Sequence, residues 1–101
     1  MNYKISQKVF EDLENIWLYA VETWSVQYAD RYYNLIFDEF EFLAKNPLSG
    51  KDYGFIRRNY RCTKVKSHLI FYKYKAGEKQ IEIVRILHQS LDVEDRLTER
   101  K

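Results

Sequence analysis

At 101 residues the chain has the length of one domain, 1–101, and 46% hydrophobic residues with 17% aromatics are enough to build a core. A net charge of +2 is small and does not imply a bulk electrostatic grip on nucleic acid. No apolar run approaches the roughly 20 residues of a membrane span, and the single Cys62 excludes an intrachain disulfide, so with no signal-peptide pattern the expectation is a reduced, cytoplasmic protein without membrane contact.

Tyr3 to Ile5 reads as a short strand that stops at Ser6, a good helix N-cap. Val9, Leu13, Ile16, Trp17, Ala20 and Trp24 then recur at helical spacing, opposite Glu11, Glu14, Asn15 and Glu22. The spacing predicts a helix from Gln7 to Trp24. Ser25 to Gln27 is the break. Ala29, Tyr32, Tyr33, Ile36, Phe37, Phe40, Leu43 and Ala44 form a second stripe, which predicts a helix from Val26 to Ala44 that Asn46-Pro47 ends. Two long helices with a short join form an antiparallel hairpin.

Pro47 to Gly54 is rich in turn formers and reads as a loop. Strands are predicted at Tyr60 to Lys64, Leu69 to Tyr74 and Ile81 to His88, joined by turns at Lys66-Ser67 and Ala76 to Glu78. Leu91 to Glu99 is predicted to form a short C-terminal helix capped by Asp92. The fold class is α+β: a helical hairpin packed on a mostly antiparallel β-sheet, in the order β-α-α-β-β-β with that short helix last.

The last strand does not alternate as a half-exposed strand would. Period two places Ile81, Ile83, Arg85 and Leu87 on one face and Glu82, Val84, Ile86 and His88 on the other, so both faces carry apolar residues. Such a strand sits inside a sheet with a cover on each side. The helical hairpin supplies one cover. The other face, with only loops and a tail to hide it, is expected to bind a partner.

Chemistry-bearing residues are few. His68, His88 and Cys62 show no metal-ligand spacing, and no Gly-rich phosphate loop or nucleophile motif is present, so no metal and no cofactor is expected. Arg57, Arg58, Arg61, Lys64 and Lys66 form the densest basic stretch, which reads either as a solvated edge or as an anchor for an acidic partner or RNA. Arg85 is a charge inside an apolar strand and needs a carboxylate, from this chain or from a partner.

Taken in order, Ser6, Asp12-Leu13, Ile16, Trp24, Ala29, Tyr32, Leu43-Ala44, Pro47, Gly50 and Arg57 form the first part of a familiar pattern. His68 with Ile70-Phe71-Tyr72, and Ile83-Val84-Arg85-Ile86-Leu87-His88 with Asp92, complete it over about 90 residues. The set resembles the RelE/ParE toxin superfamily of bacterial type II toxin–antitoxin systems, and specifically its ParE-like branch. Ser25 departs from it, since the family usually has Gly after the Trp, and a slightly different turn is expected there.

The resemblance implies a toxin that inhibits DNA gyrase by binding, traps cleaved DNA, and is neutralised by a cognate antitoxin within a toxin–antitoxin hetero-oligomer. It implies antitoxin contacts at Arg57, Arg58, Arg61, Lys64, Val84 and Ile86, and a tail from Leu91 to Lys101 that contributes to target contact. The alternative on the same fold is a ribosome-dependent mRNA interferase of the RelE type. That reaction needs a base for the 2′-hydroxyl and cations for the phosphate, and Arg61, Arg85 and His88 are the candidates. Many ribonuclease members end the last strand in His-Tyr; this chain reads His88-Gln89, which favours the gyrase reading and a structural role for His88, while His68 resembles the family's strand-opening His and is expected to hydrogen-bond the neighbouring loop. A third reading is a non-toxic module whose sheet binds a peptide.

Overall fold

A computed structural model describes residues 1–91 and 96–97. Strand β1 (Asn2–Ile5) leads into helix α1 (Gln7–Thr23), and helix α2 (Val26–Lys45) returns antiparallel to it. Strands β2 (Lys51–Asp52), β3 (Tyr60–Val65), β4 (His68–Lys73) and β5 (Gln80–His88) follow. The five strands form one sheet in the order β1-β5-β4-β3-β2, antiparallel except for the β1–β5 pair. The predicted order therefore holds, with the two-residue β2 added inside the segment expected to be all loop. The predicted C-terminal helix lies outside the described residues apart from Arg96 and Leu97, which are helical.

Capping fixes the hairpin. The Ser6 hydroxyl accepts from the Val9 N–H at 3.3 Å, and the Ser25 hydroxyl accepts from the Tyr28 N–H at 3.0 Å. Ser25, the departure from the family pattern, is thus the N-cap of α2 in extended conformation. Trp24, expected on the buried stripe of α1, instead closes the helix as its C-cap and is 58% exposed. Trp17 lies between the helices, its indole N–H donating to Asp30 Oδ1 at 3.2 Å.

The larger core lies between the hairpin and the sheet. Val9 and Leu13 of α1 and Tyr32, Ile36, Phe40 and Leu43 of α2 pack with Ile70, Tyr72, Ile81, Ile83 and Ile86. A smaller cluster lies on the opposite face: Cys62, Phe71, Leu87 and Leu97, flanked by Tyr53, Ile56, Tyr60, Leu69 and Val84. That face is therefore covered by the chain's own 53–60 segment and Leu97; Phe71 beneath them is 0% exposed. The expectation of an open apolar sheet face is corrected accordingly.

The strict alternation expected for β5 fails midway. Tyr72 pairs with Ile83 but Phe71 pairs with Arg85, so Val84 is an extra residue, a β-bulge. One inserted residue moves every later side chain to the other face. Ile83 and Ile86 consequently share the helix-side core, whereas Val84 and Leu87 join the opposite cluster. The bulge falls just where β1 stops at Ile5 and leaves the outer edge of β5 unpaired. Side chains take over that edge: the Ser6 hydroxyl donates to the Val84 carbonyl at 3.2 Å, and Asp12 Oδ2 accepts from the Ile86 N–H at 2.9 Å.

Candidate functional site

The basic residues divide into two groups. Arg57, Arg58 and Lys64 are exposed and free to meet a partner. Arg61 is not: its Nε donates to the Gly50 carbonyl at 3.0 Å and its Nη2 to the Leu48 carbonyl at 3.2 Å. It holds the segment that connects α2 to β2. Tyr72 holds the same segment from below. Its hydroxyl donates to the Pro47 carbonyl at 2.8 Å and accepts from the Gly50 N–H at 3.0 Å. The approach is close enough that a Cβ at residue 50 would sit 2.5 Å from the Tyr72 hydroxyl oxygen and 2.9 Å from the Cys62 carbonyl oxygen. Only glycine fits there.

Arg85 is also committed internally. Its Nε donates to Asp12 Oδ2 at 2.9 Å and its Nη2 to Asp12 Oδ1 at 3.1 Å, a two-pronged ion pair with both side chains mostly out of water. Of the two partners left open by the sequence, a carboxylate of this chain is the one found. Asp12 was legible only as an acidic residue beside Leu13, on the side of α1 that turns toward the sheet.

The two histidines pair across β4 and β5, their ring centroids 5.3 Å apart. His68 Nδ1 lies 2.6 Å from the Tyr32 hydroxyl, which donates to the Val65 carbonyl at 3.1 Å. The Tyr32 proton being spent on Val65, His68 Nδ1–H is the donor to Tyr32. Burial, with a smaller contribution from neighbouring His88, pushes His68 down to about 4, so it is neutral at pH 7. His68 is thus tied to a tyrosine of α2. His88 is exposed, and its Nδ1 accepts from the Ser90 N–H at 3.1 Å and lies 2.7 Å from the Ser90 hydroxyl.

Of the residues expected to touch a partner, Val84 lies half-buried at the edge of the smaller cluster, beside the 53–60 segment. Ile86 does not accompany it. The bulge turns Ile86 into the core under the helices, where it is 3% exposed. The conspicuous exposed apolar side chains lie elsewhere: Phe10, Leu18, Tyr19, Trp24, Leu35 and Phe42 on the hairpin, and Leu48 and Phe55 on the segments around β2. Among the described residues no cluster of His, Cys, Asp and Glu has the arrangement of a metal site, and no helix is long and apolar enough to cross a membrane.

A solved chain described as the chromosomal ParDE TA system from P. aeruginosa superposes with a TM-score of 0.72 at 20% identity, over 87% of this chain and 95% of that one. A family profile described as ParE toxin of type II toxin-antitoxin system, parDE, matches residues 3–93. Toxin ParE1 of Mycobacterium tuberculosis is 35% identical over 95 residues, covering 94% of this chain and 96% of that protein. Toxin ParE1 of Caulobacter vibrioides is 32% identical over 90 residues, covering 89% and 91%. The chain belongs to the ParE toxin family of type II toxin–antitoxin systems.

Proposed function

We propose that this ParE-type toxin works in the cytoplasm by binding DNA gyrase and trapping its cleaved DNA, and that a cognate antitoxin neutralises it within a hetero-oligomer. The observation that supports binding over RNA cleavage is the internal commitment of the candidate catalytic cations. A phosphate transition state needs free cations converging with a base. Here Arg85 is held by Asp12, Arg61 is held by the Leu48 and Gly50 carbonyls, and His88 stands beside His68 at the far end of β5.

The antitoxin reading rests on the uncommitted features. Exposed Arg57, Arg58 and Lys64 attract an acidic segment and speed its encounter, while the adjacent exposed Phe55 and half-buried Val84 offer apolar contact. A segment that folds as it binds fits such a surface. Charge reversal should spare Arg61, which stabilises the fold. The variant Arg57→Glu with Arg58→Glu should keep its melting temperature and bind the product of the neighbouring antitoxin gene at least about tenfold more weakly. Unchanged affinity, with unchanged salt dependence, would remove the basic stretch from the interface. On the target side, purified toxin should block gyrase supercoiling of plasmid, and the antitoxin should restore it.

A further inference from the structure

Six aromatic rings form a continuous series around one cavity where the tip of the hairpin overhangs the β3–β4 turn. Tyr19 meets Trp24 at 5.9 Å between centroids, Trp24 meets Tyr28 at 4.8 Å, and Tyr28 meets Tyr32 at 6.2 Å. Tyr32 meets His68 at 5.6 Å and His68 meets His88 at 5.3 Å. The cavity, open to solvent on one side, has a volume of about 350 Å³, and Ile16 and Ala20 complete its apolar wall. Such a size lies in the range of small-ligand pockets, and walls of this kind offer flat faces for stacking.

The most deeply placed polar pair inside is already bonded. The Tyr32 hydroxyl donates to the Val65 carbonyl and accepts from His68 Nδ1–H, so a ring entering the cavity strands neither of them. The mouth has one sign of charge. Lys66 stands there exposed, no carboxylate of a described residue lines the cavity, and no described acidic group lies within ion-pair distance of the Lys66 ammonium. A cation-binding aromatic cage would be expected to carry an acid; this cavity carries a base. Nor does the fold account for the aromatic surface at the rim: Tyr19 is 61% and Trp24 is 58% exposed, where a merely structural hairpin tip would be polar.

We propose that this cavity is a binding site for a small planar aromatic anion, with its ring stacked among Trp24, Tyr28 and Tyr32 and its carboxylate or phosphate against Lys66. Arg57, Arg58, Lys64, Phe55 and Val84, which carry the antitoxin reading, do not line the cavity, although Lys66 belongs to the same basic stretch.

Calorimetric titration with matched probe pairs tests it: indoleacetate against methylindole, and adenosine monophosphate against adenosine, with acetate and inorganic phosphate as ring-free controls. At least one charged aromatic should bind, about tenfold or more tighter than its neutral counterpart, and the ring-free anions should not bind. Lys66→Glu should erase the difference between charged and neutral partners. Trp24→Ala, at an exposed position that leaves the core intact, should weaken the aromatic anion by about tenfold, in line with the loss of a stacking face. Failure of both charged aromatics to bind overturns the proposal. So does equal affinity within each pair, or binding that survives both substitutions in proteins with an unchanged melting temperature.

Discussion

Replacing Asp12 with Ala should be among the most damaging single changes available outside the apolar core. The carboxylate accepts three hydrogen bonds, two from Arg85 and one from the Ile86 N–H. The Arg85 and Asp12 side chains are only 15% and 11% exposed. Removing one member of a buried pair leaves the other charge without compensation, at about 3–5 kcal/mol. The residual exposure argues for the lower end, about 3 kcal/mol, and the orphaned Ile86 N–H adds roughly 1 kcal/mol. For a chain this size, each kcal/mol shifts Tm by about 4–8 °C. Asp12→Ala should therefore melt at least ~16 °C lower, if it folds at all. Replacing both residues, as Asp12→Ala with Arg85→Met, removes the stranded guanidinium. It should recover part of the loss, because the cost of burying both charges disappears with the pair. Thermal and urea melts of the two variants against the parent decide the matter. An Asp12→Ala protein within ~2 °C of the parent, or a double variant no more stable than the single one, would refute the view that this pair holds the bulge in place.

Gly50→Ala should destabilise by about 2 kcal/mol or more, since the new methyl meets the Tyr72 hydroxyl oxygen at 2.5 Å and the Cys62 carbonyl oxygen at 2.9 Å; urea unfolding measures it. His68 is held near pKa 4 in the fold against 6.5 as a free side chain, so the unfolded chain binds the extra proton between those values. Its contribution is complete above pH 6.5 and is lost as pH falls toward 4, by roughly 1–2 kcal/mol after allowance for partial solvent screening; His68→Gln should flatten that part of the stability–pH curve. Burial pushes the Cys62 thiol up to about 11, so it should resist alkylation at pH 8 in the native protein and react fully in denaturant, as intact-mass spectrometry will show.

Periodicity made most of the architecture legible. The stripes through Val9 and Leu13 and through Tyr32, Ile36 and Phe40 place both helices on the sheet, because burial of one face is what makes them helices. Ser6 is legible as a cap for the same local reason. Neither β2 nor the bulge was legible. Lys51–Asp52 pairs only because the Arg61 and Tyr72 hydrogen bonds bring the segment to β3, an arrangement set by residues distant in sequence. The bulge follows from where β1 ends and from Asp12 reaching the Ile86 N–H, so period-two counting assigned Ile86 to the wrong face. The same limitation applies to the site. The sequence identified Arg85 as a charge in need of a carboxylate, but the choice of Asp12 required the packing of α1 on β5. Exposed Arg57, Arg58 and Lys64 resemble Arg61 in sequence, and only the Leu48 and Gly50 carbonyls distinguish it from them.

The central claim, that the toxin acts by binding and not by cleaving RNA, is tested most directly with one preparation in two assays, with His88→Gln run beside the parent. The first follows gyrase supercoiling and the accumulation of cleaved DNA; the second follows mRNA on translating ribosomes. The account predicts that both proteins inhibit gyrase equally and leave mRNA intact. Cleavage of mRNA by the parent, lost in a His88→Gln protein of unchanged melting temperature, would contradict it.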